Sequence, residues 1–322
     1  VLPVITYSPA YTVVPTYECF NACTYCNFRV QPGTDEWLSL THAEAELQQL
    51  QACGVIEILI LSGEVHPLHP QRSEWFQRIY ALCELALRLG FLPHTNVGPL
   101  SFEEMAALKQ VNVSMGLMVE QVTPKLLQTV HKYAPSKVPE VRLQQLAWAG
   151  ELRIPYTTGL LLGIGETQAD WRDTLQAIAH LHSKWGHIQE VILQPHSPGQ
   201  SQAEQGNPFP AEKLVEVVAI AREILPEDIT LQIPPNLIPE PSILLACIAA
   251  GARDLGGIGP TDEVNPDYPH PHDEAIAIVL NQAGWQLVPR LPIYPKYDKW
   301  LPPQLQEATQ RWREKLKTQQ KT

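Results

Sequence analysis

Tyr156-Thr-Thr-Gly-Leu-Leu-Leu-Gly-Ile-Gly-Glu-Thr167 is the stretch that decides the fold. Tyr156–Leu162 is a short apolar run ended by glycine, the pattern of a strand buried on both faces. Gly163 and Gly165 then permit a close backbone approach, Glu166 braces the turn, and a helical pattern follows from Trp171 to Trp185. This reads as one strand-then-helix unit. A G-x-G pair also occurs in dinucleotide fingerprints, but here the third glycine is missing and the pair comes late in the chain.

Outward from this stretch the same unit recurs. Further strands are expected at Thr12–Glu18, Ile56–Ser62, Leu92–Val97, Asn112–Val119, Glu190–Pro195, Thr230–Ile233 and Asp254–Ile258. The helices expected with them are Ala43–Gln51, Ser73–Leu89, Phe102–Lys109, Val141–Ala149, Ala211–Ile224, Ile243–Ala250 and Asp273–Gln282. Thr41 before Glu44 and Ser101 before Glu104 have capping-box spacing, and Gly54, Gly90 and Gly251 stand where helices stop. Eight such units predict an α/β fold, a closed (β/α)8 TIM-like barrel of parallel strands. An open doubly wound sheet and a six-unit partial barrel are the alternatives. The barrel is expected over residues 1–284. A Pro/Tyr-rich tail and an outer polar helix, Gln304–Gln319, occupy 285–322.

Composition narrows the function. The chain has 322 residues, is 44% hydrophobic, and carries a net charge of −11. That is enough apolar content for a full core, and the wrong charge for a broad nucleic-acid or anionic-membrane surface. The apolar start, Val1–Pro15, is broken by prolines and lacks a basic leader, so no signal peptide and no membrane span are expected. A reducing cytoplasm is the expected location.

The run Glu18-Cys-Phe-Asn-Ala-Cys-Thr-Tyr-Cys-Asn-Phe-Arg29 sets Cys19, Cys23 and Cys26 at C-x3-C-x2-C spacing, with Tyr25 directly before the last. Three thiolates can hold three irons of a cubane cluster, and the missing fourth leaves one iron open to a small ligand. Structural zinc is the plainer reading. It usually takes four ligands in paired sets, and no second C-x2-C exists here. Six cysteines in so long a chain are too sparse for a disulfide scaffold. Cys53, Cys83 and Cys247 stand alone and read as small core residues, so a second cluster is not expected.

In its cysteine loop the chain resembles the radical S-adenosylmethionine (SAM) enzymes. The resemblance implies a barrel of radical SAM type with a [4Fe-4S] cluster on Cys19, Cys23 and Cys26, and SAM chelating the open iron. One electron then cleaves SAM to a 5′-deoxyadenosyl radical. Tyr25 is implied to lie at the cofactor. Ser62-Gly63-Glu64 stands where these enzymes carry a G-G-E-like run that binds the SAM amino group, with Ser62 replacing the first glycine. Glu120 is implied to contact the ribose. Arg142 is implied to pair with the SAM carboxylate, which its planar fork matches. Gly163, Gly165 and Glu166 belong to a G-x-I-x-G-x-x-E motif that lies under the adenine.

Other runs narrow the resemblance. His94-Thr-Asn-Val-Gly-Pro-Leu-Ser101, Gln194-Pro-His196, Ile233-Pro-Pro-Asn-Leu237, Asp254-Leu-Gly-Gly-Ile-Gly-Pro260 and Arg290-Leu-Pro-Ile-Tyr-Pro295 are similar to the cyclising-subunit family of FO synthase. FO is 7,8-didemethyl-8-hydroxy-5-deazariboflavin, the chromophore of coenzyme F420. The similarity implies a substrate that a tyrosine-coupling partner subunit makes from tyrosine and a ribityl-diaminouracil. It also implies an electron donor of ferredoxin or flavodoxin type. Asn96, Gln194, His196, Asn236 and Asp254 are the candidates to bind that substrate at the barrel mouth. Two departures from the family pattern touch substrate contacts: the Gln-Pro-His-Ser-Pro run, and Gly259 where serine is common. The rival readings are the tyrosine-coupling partner, a menaquinone-pathway radical SAM enzyme, a non-catalytic Fe–S carrier and a zinc module.

Overall fold

The structure of the chain, a computed structural model, describes residues 2–203 and 206–319. Strands and helices alternate: β1 (Val4–Val13), α1 (Leu40–Leu50), β2 (Glu57–Leu61), α2 (Arg72–Arg88), β3 (Leu92–Asn96), α3 (Phe102–Leu108), β4 (Ser114–Gly116), α4 (Pro139–Glu151) and β5 (Tyr156–Leu162). The second half continues with α5 (Gln168–Trp185), β6 (Ile188–Pro195), α6 (Ala211–Ile224), β7 (Thr230–Gln232), α7 (Pro241–Ala250), β8 (Asp254–Ile258), α8 (Asp273–Gln282), β9 (Gln286–Pro289) and α9 (Pro303–Gln319). Strands β2 to β8 are neighbours in chain order, and β1 pairs in parallel with both β2 and β8. The sheet therefore closes on itself as a (β/α)8 barrel, and the open-sheet alternative falls away.

Each strand alternates its side chains across the wall. In β2, Ile58 and Ile60 are fully buried in the apolar core that also holds Leu47, Trp75 and Ile79 of the helices. Glu57, Leu59 and Leu61 face the barrel interior. Capping boxes start α3 at Ser101 and α5 at Thr167.

Three local expectations need correction. The first strand lies at Val4–Val13, not Thr12–Glu18. Pro9 is tolerated because its carbonyl accepts from Ile56 N at 2.9 Å, so its missing N–H faces the side of β2 just before that strand begins at Glu57, where no ladder bond is lost. Glu18 keeps only an isolated bridge to Val30. The fourth strand shrinks to Ser114–Gly116, although the chain stays on β5 through Glu120, whose N–H bonds the Gly159 carbonyl at 3.1 Å. Helix α1 is capped by Ser39, which accepts from the His42 N–H, so Thr41 is already inside the helix.

The tail closes the base. Strand β9 adds to β1 through Val4–Tyr7. Beyond it, Leu291, Ile293, Tyr297, Leu301, Leu305 and Leu316 form a second core with Ile56, Leu92 and Val113, residues at or just before the starts of β2, β3 and β4. The opposite rim, where strands end, is left to the loops. No helix among the described residues is long and apolar enough to cross a membrane.

Candidate active site

The loop after β1 brings Cys19, Cys23, Tyr25 and Cys26 to the wall of a cavity of about 310 Å³. The same wall carries Ser62, Gly63 and Glu64 after β2, Asn96 of β3, Glu120 after β4, Lys137 and Arg142, and Gln194 of β6. Gly63 is required by space: a Cβ there would stand 2.0 Å from the Glu18 carbonyl oxygen. The Trp75 indole N–H donates to the Ser62 hydroxyl at 3.0 Å. Tyr25 shares a hydrogen bond of 2.9 Å with His131.

Whether the cysteines suit a cluster is a matter of donor chemistry. Among the described residues no three His, Cys, Asp or Glu side chains come close enough to share one metal ion. The three thiols on one wall are the donor set of a cluster that each would hold at a different corner. Burial pushes the Cys23 thiol up to about 12. A cationic group bound there would favour its thiolate.

Beside the thiols lies a buried charge network. Glu64 accepts from Asn21 Nδ2 at 2.8 Å, from the Ser136 hydroxyl, and from Arg142 Nη2 at 2.8 Å. Burial acts to raise the Glu64 carboxyl, but Arg142, Lys137 and these hydrogen bonds outweigh it and hold it below the usual range. Arg142 is 1% exposed and also donates to the carbonyls of Ser136 at 3.0 Å and Met118 at 3.1 Å. Lys137 Nζ stands 2.6 Å from Glu120 Oε1. Glu120 itself adopts φ 65°, a left-handed conformation uncommon outside glycine. The ion pair with Lys137 helps hold it there.

A second chamber of about 180 Å³ continues into the barrel, sharing the walls Leu61, Asn96, Met118 and Gln194 with the first. Its floor is acidic. Glu57 and Glu190 line it and are buried, beside Arg290 of the tail, which ties the chamber to the fully buried Asp254. Arg290 binds Asp254 with Nε at 2.6 Å and Nη2 at 2.8 Å, and also pairs with Glu190. Burial and the neighbouring Asp254 push the Glu190 carboxyl up, against the pull of Arg290. His94 Nδ1 meets the Ser114 hydroxyl at 2.7 Å, and burial together with Arg290 drives its pKa down to about 3.

The description of the radical SAM superfamily matches residues 13–178 of this chain. The 7,8-didemethyl-8-hydroxy-5-deazariboflavin synthase of Trichodesmium erythraeum is 66% identical over 313 residues, 97% of this chain and 98% of that protein. The protein of the same name from Synechococcus elongatus is 60% identical over 319 residues, 99% of this chain and 95% of that one. The chain belongs to this synthase family of the radical SAM superfamily. Among solved structures, the FeFe-hydrogenase maturase HydG superposes with a TM-score of 0.73 at 16% identity, covering 95% of this chain and 69% of that one. Methylornithine synthase gives 0.68 at 13% identity, covering 93% and 86%. These two likenesses concern the fold.

Membership in the synthase family implies an iron–sulfur cluster and SAM, and the cysteine wall fits both. The other expected residues sort by position. Asn96 and Gln194 line both chambers, and Asn236 lines the inner one. His196 lines the outer chamber, its ring between the Asn207 carbonyl and Gln202. Gly163 and Gly165 sit in the turn after β5, and Glu166 directs both oxygens to that turn, accepting from Gly163 N at 2.7 Å, Ile164 N at 2.8 Å and Trp171 Nε1 at 2.8 Å. None of the three lines the chamber; Leu161 does. Asp254 is a correction. It is the first residue of β8, so it lies at the base and not at the mouth, fully buried against Thr6, Gly256 N and Arg290. Sequence reasoning also missed Lys137, Glu57 and Arg290. A carboxylate at the head of an otherwise apolar strand, as in Glu57-Ile-Leu-Ile-Leu61, was the available signal for Glu57.

Proposed function

We propose that the chain is an FO synthase of the cyclising type. Its substrate is 5-amino-5-(4-hydroxybenzyl)-6-(D-ribitylimino)-uracil, which it closes to the deazaflavin FO with release of ammonia. The observation that carries this reading is the pair of connected chambers. The cysteine wall opens directly onto a polar inner room, beside relatives at 60–66% identity that carry this synthase's name.

When bound, a [4Fe-4S] cluster and SAM supply a 5′-deoxyadenosyl radical that removes a hydrogen atom from the substrate. The chain's own residues do the holding. Cys19, Cys23 and Cys26 are assigned to the cluster. Glu64 is assigned to the SAM ammonium, and the cations Arg142 and Lys137 keep a carboxylate close to the same wall. Glu120 accepts ribose hydroxyls, and the Gly163–Glu166 turn fixes Leu161 against the adenine side. Tyr25 and Met118 help exclude water, which strengthens every charge contact inside. Asn96, Gln194 and Asn236 offer hydrogen bonds to the uracil edge and the ribityl hydroxyls. The adduct comes from a tyrosine-coupling partner subunit, and electrons come from a ferredoxin- or flavodoxin-type protein. We assign residues 1–284 to the barrel unit and 285–322 to the tail that closes its base.

The test is anaerobic incubation of reconstituted protein with SAM, reductant and the adduct. Deazaflavin fluorescence together with 5′-deoxyadenosine and ammonia is the expected result. Consumption of free tyrosine with the diaminouracil, and no FO from the adduct, would make the chain the coupling partner instead.

A further inference from the structure

The floor of the inner chamber holds two groups that the protein leaves half used. Glu57 is 8% exposed and, among the described residues, accepts one hydrogen bond, from the Ser8 hydroxyl to Oε2. Glu57 lines the chamber, and burial raises its carboxyl against the pull of Arg290 and the Ser8 hydrogen bond. His94 is also 8% exposed and lines the same chamber. Its tautomer follows from its neighbour. Ser114 has one proton, and its hydroxyl donates that proton to the Pro292 carbonyl at 2.5 Å. Ser114 must therefore accept at 2.7 Å from His94 Nδ1–H. That leaves Nε2 without a proton and with its lone pair toward the cavity. Gly116 keeps it uncovered, since a Cβ there would stand 3.0 Å from Nε2. Four of the five N–H groups of Arg290 are committed to Asp254, Glu190 and the Leu291 carbonyl, and among the described residues it makes no hydrogen bond to Glu57 or His94.

β2 and β3 are adjacent, with Leu59 level with His94 and Glu57 one inward-facing position below. Two acceptors on neighbouring strands therefore flank one spot, and both call for N–H donors from a ligand. A buried acceptor without a donor is costly, so a ligand that supplies the donors is favoured over one that cannot.

We propose that Glu57 and His94 form an acceptor floor that reads the N–H-bearing edge of the substrate's pyrimidine ring and discriminates against N-alkylated analogues. This rests on the synthase reading above and adds the residues that set ring recognition. Burial and Arg290 keep His94 neutral across the working pH range, so it stays an acceptor.

The measurement is the dissociation constant of the adduct, taken anaerobically on reconstituted protein with SAM and without reductant, so that nothing turns over. Wild type, Glu57→Gln and His94→Phe are compared, each with the adduct and with its derivative methylated at the imide nitrogen. Each variant should bind the adduct roughly ten- to a hundredfold more weakly, the range for one hydrogen bond to a buried or charged acceptor. Methylation should weaken binding to the wild type by a similar factor and weaken the variants much less. SAM affinity and the melting temperature report whether a variant is folded. If the wild type makes FO while both folded variants bind the adduct as tightly as it does, the floor assignment is overturned and the synthase reading stands. If the wild type neither binds nor converts the adduct, both fall. Should a variant fail to fold, equal affinity of the wild type for the two probes overturns the assignment by itself.

Discussion

Arg142 is assigned to SAM, yet in the structure its strongest partner is a protein carboxylate. That makes Arg142→Ala informative before any SAM is added. The guanidinium gives four hydrogen bonds: to Glu64 at 2.8 Å, to the Ser136 and Met118 carbonyls at 3.0 and 3.1 Å, and to the Ser136 hydroxyl at 3.3 Å. Alanine removes them all and leaves the Glu64 carboxylate buried, with only Asn21, Ser136 and the field of Lys137. Breaking a buried pair from one side costs about 3–5 kcal/mol, and the retained hydrogen bonds favour the lower end. For a chain of this size that is roughly 4–7 °C in melting temperature. The assay is an anaerobic melt of protein without SAM, followed by SAM titration. SAM affinity should fall roughly ten- to a hundredfold beyond the stability effect. The double variant Glu64→Gln/Arg142→Met should recover part of the melting temperature, because no lone charge remains. A melt within 1–2 °C (roughly the effect of a neutral surface change) would refute the network. Unchanged SAM binding would remove Arg142 from the cofactor assignment.

Three further outcomes are expected. Alanine at Cys19, Cys23 or Cys26 should abolish cluster reconstitution, measured as iron and sulfide content. Alanine at Cys53, Cys83 or Cys247 should leave it intact, and two clusters' worth of iron in the wild type would contradict the assignment. Asn96→Ala, at the junction of the two chambers, should lose FO formation while SAM is still cleaved without product; loss of SAM cleavage as well would place Asn96 with the cofactor. His94 is neutral in the fold down to about pH 3, whereas an unfolded chain protonates it near 6.5. The unfolded state binds the extra proton between those values, so stability falls as pH drops through that window. Glu190, pushed up by burial, acts in the opposite sense, so the comparison with His94→Phe isolates the histidine. That variant should lose less melting temperature between pH 7 and 5 than the wild type does, and an equal loss would contradict the argument.

Much of the fold could be read because buried parallel strands have a local signature. Tyr156–Leu162 and Asp254–Ile258 stand where the apolar runs put them, and Ala211–Ile224 begins and ends as its periodicity requires. The cysteine spacing is equally local. The first strand was misplaced because Pro9 reads as a breaker, and only the start of β2 at Glu57, which leaves its missing N–H without a ladder partner to lose, shows why it is tolerated. Lys137 follows a Pro-Ser turn with no motif around it, and its value comes from Glu120, 17 positions earlier. Asp254 was assigned correctly to a strand and wrongly to its end, an error that position within the run could have avoided. Arg290 opens a run that carries the family resemblance, but nothing in its Pro-rich surroundings points to a buried ion pair. Its role depends on two carboxylates brought together only when the barrel closes.

The closure of the barrel by its tail sets an order on biosynthesis. β1 is made before β2, yet one of its edges waits for β8 and the start of the other waits for β9. Thr6 reaches a carboxylate 248 positions later. Until Arg290 emerges, Glu190 and Asp254 have no counter-charge, and a closed barrel would trap like charges in a dry interior. The nascent chain is therefore kept from completing itself unit by unit, and docks in one late, long-range event. Chains cut after residue 284 should stay sensitive to protease where the full chain is resistant. A resistant shortened chain would show that the earlier residues close without help.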